Sequence, residues 1–384
     1  MNKIVSLYSK YSFSILILVL TFTNCKSDKN RDHVNNSIID FENFISNEAN
    51  LYDFADSLEF TFLEYDTGNL VGKILNFKAT KNYLFVVDQQ QKLFVFKKNG
   101  DLFSFIHNKG EGPSEYISIE DFIVDSNEKH VVILDPRGGK LLKYDIFGNF
   151  IDRYSIGYTH ATHISKLMNG NYAIFQSARF SNENHNIFLL DQNFQKVDSI
   201  VEPIGTFIKN LPYLFDTHWY DYDNNACYKE FLVDTVFRVN ENNRSEPHLL
   251  FNLGKKRMPN EYYTETNYYR QHAHKYYQIG NISESKNYVF ISVTYNNKSK
   301  YFLFDKEKSQ LEDLGLNALP IHTFNLDIEF WPAYVYEETL YQIIDPTELY
   351  QKLKSSPKAY KLKQILELND NPVFLSCNLL PIRK

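Results

Sequence analysis

Apolar residues in this chain come in short runs, and nearly every run is stopped by Asp, Asn or Gly. Runs of that length with turn formers at both ends read as β-strands, because a helix needs a longer stretch of 3.6-residue periodicity. The clearest set is Tyr83 to Ile106, YLFVVDQQQKLFVFKKNGDLFSFI, and it is echoed by His130 to Gly157, HVVILDPRGGKLLKYDIFGNFIDRYSIG. In each copy an apolar run ends in Asp (Asp88, Asp135) and a second run leads to Gly (Gly100, Gly148). A third, alternating run follows. The aspartates are 47 residues apart and the glycines 48. KNGD and IFGN carry the glycine that a tight hairpin needs for positive φ. Counting the preceding segments KILNFKAT and SIEDFIVDS, each unit holds four antiparallel strands. A sheet that small cannot bury both faces alone, so it must stack on its neighbours. Units of this period that do so are propeller blades. Leu84, Val86, Phe94 and Val132 are the expected blade core.

Fainter copies continue the rhythm. HISKLMNGNYAIFQSARF with HNIFLLDQNFQKVDSIV reads as a third unit, and KEFLVDTVFRVNENNRSEPHLLFNLG as a fourth. YYQIGNISESKNYVFISVTYNNKSKYFLFDKEKSQL reads as a fifth and FNLDIEFWPAYVYEETLYQII as a sixth. The tail differs. DPTELYQKLKSSPKAYKLKQILEL has Pro346 near a start and apolar residues at helical spacing (Leu349, Leu353; Leu362, Ile365, Leu366), which predicts a short helical segment. NDNPVFLSCNLLPI then turns at Asn371-Pro372 and ends in a strand, Val373 to Leu380. A ring of blades has an open seam unless a terminal strand joins the sheet at the other end. LEFTFLEY near the N-terminus and this last strand are the expected closing pieces.

Composition supports the β reading. Tyr (28) and Phe (31) far outnumber Trp (2) in 384 residues, and aromatic residues suit pleated, half-buried surfaces. The net charge of −6 and the lack of any basic block exclude nucleic acid as a main partner. There are three cysteines, Cys25, Cys227 and Cys377. A disulfide between the last two is open, with two buried free thiols the plainer expectation. The first residues are a processing signal: Lys3 and Lys10, then the apolar run Phe13 to Phe22, too short to span a bilayer as a helix. It stops at Thr23-Asn24-Cys25. A cysteine at that place resembles the lipobox of bacterial lipoproteins, which implies that Cys25 receives lipid and becomes the mature N-terminus. Phe22 and Asn24 depart from that motif, which commonly has Leu and Gly or Ala there. An ordinary secretory signal with an incidental cysteine is the alternative.

The segment NKGEGPSEY (Asn108 to Tyr116) places two glycines close together in a glycine-poor chain. It lacks the lysine of a phosphate loop and the third glycine and helix of a dinucleotide fingerprint, and Glu111 and Glu115 would repel phosphate. It therefore reads as the link from one blade to the next. Together with LFVVD, LFVFKKNGDLFSFI, DTVFRVN, FNLGKKRMP, SESKNYVFISV and NDNPVFLSCNLL, it resembles the six-bladed β-propeller lipoproteins of the Bacteroidetes, relatives of NHL-repeat propellers. The resemblance covers nearly the whole mature chain and supplies the blade count. It implies an all-β chain with residues 1–24 as signal peptide, 25–50 as polar tether and 51–384 as a six-bladed β-propeller of four-stranded antiparallel blades. It also implies an outer-membrane lipoprotein in the cell envelope, facing periplasm or exterior.

Candidate chemistry is sparse. His160 and His163, and His272 and His274, invite a metal, but no carboxylate or cysteine lies near them in sequence, so loop histidines on the surface are expected and no metal or cofactor is assigned. There is no G-x-S-x-G and no cysteine in a nucleophile context. Asp88, Asp135, Asp191 and Asp305 end strands and read as turn residues bonding their own backbone. Asn260 to Gly280 is rich in tyrosine. Tyr268, Tyr269 and Tyr276, with Trp219 and Tyr220 upstream, are the candidate platform for a glycan, a peptide or a partner protein; tyrosines filling the wedges between blades are the alternative. Two classes follow: a lipid-anchored binding or scaffold propeller, or a propeller lyase or hydrolase acting on glycans or peptides. The absence of a local acid–base motif favours the first. If Cys25 carries the anchor, Cys25→Ser releases the protein from the membrane fraction, and continued partitioning with membranes would refute the assignment.

Overall fold

The structure is a computed structural model that describes residues 37–380, apart from 47–50, 65–67, 69, 177–186, 201–217, 231–232, 264–265, 316–318, 322–327, 354–359 and 367–370. The leader and Cys25 lie outside the described residues. From Asn36 onward the chain forms one unit, and that unit is a six-bladed β-propeller.

The first described strands are β1 (Ser37–Asp40), β2 (Phe44–Ser46) and β3 (Ala55–Phe62). Blade 1 is β4 (Ile74–Ala79), β5 (Tyr83–Asp88), β6 (Leu93–Lys97) and β7 (Leu102–Ile106). Blade 2 is β8 (Asp121–Val124), β9 (His130–Asp135), β10 (Lys140–Asp145) and β11 (Phe150–Ser155). Blade 3 is β12 (Ala161–Lys166), β13 (Tyr172–Gln176), β14 (Ile187–Leu190) and β15 (Lys196–Ile200). Blade 4 adds β16 (His218–Tyr222), β17 (Asn225–Lys229), β18 (Thr235–Val239) and β19 (Ser245–Asn252). The helix α1 (Thr266–His272) precedes blade 5, which is β20 (Gln278–Glu284), β21 (Tyr288–Tyr295), β22 (Lys298–Asp305) and β23 (Gln310–Gly315). A small hairpin, β24 (Leu319–Ile321) with β25 (Ile328–Phe330), comes before blade 6. Blade 6 takes β26 (Tyr334–Tyr336), β27 (Thr339–Ile344) and β28 (Val373–Leu379), with helices α2 (Pro346–Leu353) and α3 (Tyr360–Leu366) inserted between the last two strands.

Ring closure follows the sequence expectation. β28 pairs antiparallel with β3, Leu375 opposite Phe60 and Cys377 opposite Leu58, so the fourth strand of the last blade comes from the start of the chain. Asn371 completes the seam. Its side-chain oxygen accepts from the Val71 amide at 2.9 Å and its amide group donates to the Glu64 carbonyl at 2.8 Å, and the residue is almost fully buried. β1 and β2 extend the belt: β1 lies parallel to β19 on the outside of blade 4, and β2 parallel to β23 on the outside of blade 5.

This moves one boundary. Within the segment expected as a tether to residue 50, the strands at Ser37–Asp40 and Phe44–Ser46 belong to the propeller. The reason is apolar: Ile39 and Phe41 are buried, and Phe41 packs edge-on to Phe251, Tyr277 and Phe302 with ring centroids 6.1, 5.8 and 5.0 Å away. SIIDFENFIS carried that pattern within an otherwise polar run. The sixth unit also resolves differently. Ile328–Phe330 belongs to the separate hairpin, and the blade starts at Tyr334. In blade 4 the first strand is HWYDY, a strand with few aliphatic residues. The tyrosine-rich segment contains a short helix that no apolar periodicity announced.

Local chemistry explains the blade repeat. Gly100 and Gly148 have φ of 96° and 91°, as their hairpins require. The strand-ending aspartates are turn residues. Asp88 accepts from the Gln90 and Lys92 amides at 3.0 Å each, and Asp191 from Asn193 and Gln195 at 2.8 and 2.9 Å. Asp135 does more, accepting from the Ile117 and Ser118 amides at 2.9 and 3.2 Å and so tying the inter-blade link to blade 2. In that link Tyr116 is fully buried, and its hydroxyl donates to the Gln91 carbonyl at 2.7 Å. Gly110 and Gly112 are not among the positive-φ glycines. They are small because the Glu115 carboxylate folds back over them: it accepts from the Gly112 amide at 2.8 Å, and a Cβ on Gly110 would lie 2.0 Å from its Oε2. Leu84, Val86, Phe94 and Val132 are buried as expected, and Cys227 and Cys377 are buried free thiols.

Gly100 sits at the seam, where a Cβ would lie 2.0 Å from the Phe62 carbonyl oxygen. Gly100→Val therefore combines backbone strain of about 1–3 kcal/mol with a clash that must move β3. Thermal unfolding checks this: Gly100→Val melts well below wild type, whereas Gly157→Ala, whose Cβ meets open space, stays close to it.

Candidate functional site

The first strand of each blade lies at the inner end of its sheet, and neighbouring inner strands meet around the central channel. Polar residues at alternate positions on these strands share one face. They converge. Asp121 on β8 is nearly inaccessible and collects four groups. The Lys78 ammonium on β4 is 3.0 Å from its Oδ1, and the Asn76 side chain donates to the same oxygen at 2.9 Å. His163 Nδ1 on β12 is 2.7 Å from Oδ2, and the Ile164 amide donates to Oδ2 at 3.0 Å. Burial by itself would raise the Asp121 carboxyl, but the charges of Lys78 and His163 and the donated hydrogen bonds outweigh it and hold the carboxyl well below the usual range.

The chain of bonds continues. His163 Nε2 is 2.9 Å from Ser165 Oγ, and Ser165 Oγ donates to Asp221 Oδ1 on β16 at 2.5 Å. Tyr334 on β26 faces the same carboxylates. Burial, then the charges of Asp221 and Asp121, push its phenol far up, so it stays protonated. The order Asp121, His163, Ser165 is that of an acyl-transfer triad. Two features oppose that use. Ser165 is fully buried. Its single hydrogen is directed at Asp221, so toward His163 it can only accept.

A second buried cluster lies between blades 4 and 5. Glu284 at the end of β20 receives Lys306 Nζ at 2.5 Å, His248 Nε2 at 2.9 Å and the Tyr220 hydroxyl at 2.7 Å. Burial opposes its charge, but the His248 bond and the Lys306 ammonium win, and the carboxyl is held low. Cys227, His248 and Glu284 could bring one ligand atom each within 4.8 Å of one another. Their chemistry does not fit a metal, because burial pushes the Cys227 thiol well up and an ammonium already occupies the carboxylate. Nearby, His218 Nε2 on β16 lies 2.8 Å from the Ile282 carbonyl and 3.1 Å from its amide, bridging to β20.

The third feature is a cleft. At the seam between blade 6 and blade 1 a cavity of about 260 Å³ opens beside Lys98, Tyr336, Tyr341, Thr80 and Thr339. It lies against the hairpin turns of β4–β5, β6–β7 and β26–β27.

The residues singled out in sequence are scattered among these features. Trp219 packs on Phe175 and Tyr228 in the wedge between blades 3 and 4, with centroids 3.8 and 5.0 Å away. Tyr220 is committed to Glu284. Tyr268 is exposed on α1, Tyr269 is buried with its hydroxyl donating to Gln278 at 2.8 Å, and Tyr276 lies by Tyr262. His272 stacks on Tyr262 at 4.5 Å. His160 is exposed, as expected, but His163 is not a surface loop residue; it is a strand residue of the channel. Lys78, Asp121, Ser165, Asp221 and Lys98 were not foreseen. The available signal was a polar pair at i, i+2 inside an inner strand, as in NFK (Asn76, Lys78) and HIS (His163, Ser165).

Ring closure by one N-terminal strand and six inner strands converging on one channel define the class: this is a closed six-bladed β-propeller. The chain belongs to the family described as "Domain of unknown function (DUF4934)", whose model matches residues 36–378. It is similar in structure to a Bacteroides fragilis chain named "Putative exported protein", with TM-score 0.68 and 19% identity over 90% of this chain and all of that one. It is also similar to a DUF4221-family member from Bacteroides vulgatus, with TM-score 0.55 and 12% identity over 84% of this chain and 96% of that one. No curated protein matches the sequence.

His218 makes the inter-blade contact sensitive to acid. Burial pushes its pKa down to about 4 from 6.5; the bond to Ile282 opposes this, while Lys229 and His163 add to it. The folded state thus favours the neutral ring. The contribution is fully present above pH 6.5 and is lost as pH falls toward 4, because only the unfolded chain takes up the proton in that window. Melting temperature followed from pH 7 to 4 in wild type and His218→Gln checks this: the variant shows the shallower decline.

Proposed function

We propose that this protein is a binding propeller held outside the cytoplasm by lipid on Cys25, taking a small ligand in the cleft between blades 6 and 1. The observation that carries this reading is the contrast between two polar regions. In the channel, Asp121, His163, Ser165 and Asp221 are spent on one another. At the seam, polar side chains line open space of about 260 Å³, which suits a ligand somewhat smaller than a drug. The leader supports an exported location, as does the name of the Bacteroides fragilis chain of similar fold. Among the described residues no helix is long and apolar enough to cross a membrane.

The Asp121–His163–Ser165 order favours one second reading, a hydrolase with Ser165 as nucleophile. The two separate cleanly. A fluorophosphonate probe labels an activated serine, and the binding reading expects no label on Ser165. In parallel, a panel of neutral sugars, sugar acids, amino acids and short peptides is screened by thermal shift. Compounds that stabilise wild type lose their effect in folded Thr339→Trp, which fills the cleft. Hits that survive the tryptophan refute the cleft, and stoichiometric labelling of Ser165 would install the hydrolase.

A further inference from the structure

Lys98 follows β6 and projects half-buried into the seam cleft. Three buried or half-buried lysines of the propeller have carboxylate partners, Lys78 with Asp121 at 3.0 Å, Lys300 with Asp313 at 2.6 Å and Lys306 with Glu284 at 2.5 Å, while the buried Lys140 and Lys229 donate to the Gly112 and Glu230 carbonyls at 3.2 Å each. Among the described residues no carboxylate comes within ion-pair distance of Lys98. Its ammonium donates instead to the Tyr341 hydroxyl at 2.6 Å and lies over the rings of Tyr341 and Tyr336, 4.7 and 5.7 Å from their centroids. Burial pushes the Tyr341 phenol up to about 12, so this partner is neutral. Burial likewise pushes Lys98 down to about 8, against the opposing charges of Glu128 and Glu337. A half-desolvated cation with one hydrogen bond among the described residues therefore faces open volume. That is the condition in which an incoming anion gains most.

The rest of the wall sets the ligand's character. Thr61, Thr80, Thr339 and Ser376 line the cleft, and the three threonine hydroxyls donate to the Lys98 carbonyl, the Tyr83 carbonyl and Asn378 Oδ1, which leaves their oxygens as acceptors. Lys81 balances one of the two carboxylates, Glu59 and Glu337, that also line it. A monoanion paired with Lys98 is tolerated beside those carboxylates, whereas a second negative charge would be repelled by them. We propose that the seam cleft binds a small hydroxylated carboxylate of the sugar-acid class, its carboxylate on Lys98 and its hydroxyls on the threonine and serine wall. This rests on the cleft being the ligand site.

Glucuronate is the probe, with glucose as the neutral and glucose 6-phosphate as the dianionic counterpart, each titrated calorimetrically into the whole protein. Glucuronate binds, and the other two bind at least about tenfold more weakly. Lys98→Met weakens glucuronate by about tenfold or more, while Lys98→Arg stays within a few-fold, which separates charge from folding. Glucuronate affinity is flat from pH 6 to 7 and falls toward about tenfold per pH unit above 8, since only the ammonium pairs with it. Glucuronate binding that is absent, or indifferent to Lys98→Met, overturns the proposal. If glucose or glucose 6-phosphate binds instead and is lost in Thr339→Trp, the carboxylate assignment falls while the cleft stands. If no compound of the wider panel responds to the tryptophan, both fall.

Discussion

Everything in this molecule depends on a pairing between strands at opposite ends of the chain. β28 and β3 share one blade, and without that ladder the last blade would present three strands and an unpaired edge. Asn371 stitches the same junction to residues about three hundred positions earlier through two hydrogen bonds in a buried setting, where leaving either partner unmatched would cost on the order of 1–3 kcal/mol. Gly100 touches the backbone of Phe62 there too. The belt formed by β1, β2 and β3 adds a strand to three successive blades, so the N-terminal segment spans half the ring. Closure is a non-local contact, of the kind whose loop-closure entropy slows folding.

Closure also creates the polar channel and the polar cleft. Bringing six inner strands together forces their channel-facing side chains into one small volume. Charges placed there must be paired, and they are, in the array from Lys78 through Asp121, His163 and Ser165 to Asp221. Such an array fixes how blades 1 to 4 meet, but it leaves little chemical capacity for anything else. At the seam blade 6 is itself assembled from both ends of the chain, its fourth strand β3 preceding β4 of blade 1, and the cleft forms where the last blade's first hairpin faces blade 1. Lys98, which donates to the Tyr341 hydroxyl, sits where the ring is closed by the N-terminal strand.

The repeat, its aspartate and glycine punctuation, the short helices before the last strand and the two closing strands were all readable along the chain. Each rests on local rules: strand-length apolar runs, turns that need positive φ, and helix periodicity around Leu349 and Leu353. The misreadings were local as well. Ser37 to Ser46 looked like tether because its polar neighbours masked Ile39 and Phe41. His163 looked like a loop histidine because nothing in its own segment supplied a partner.

That last case marks the division. The sequence by itself determined the strand pattern, the blade as a unit, the means of closure and the class of protein, because backbone periodicity and turn chemistry act over a few residues. Only the tertiary structure decided which polar side chains meet. Asp121, His163 and Asp221 lie on three different blades, separated by tens of residues, and Lys98 faces Tyr341 across 243 positions of chain. Partners supplied from different blades leave no spacing rule in the sequence. They are set by the geometry of the ring, which brings together residues whose separation along the chain carries no information about their separation in space.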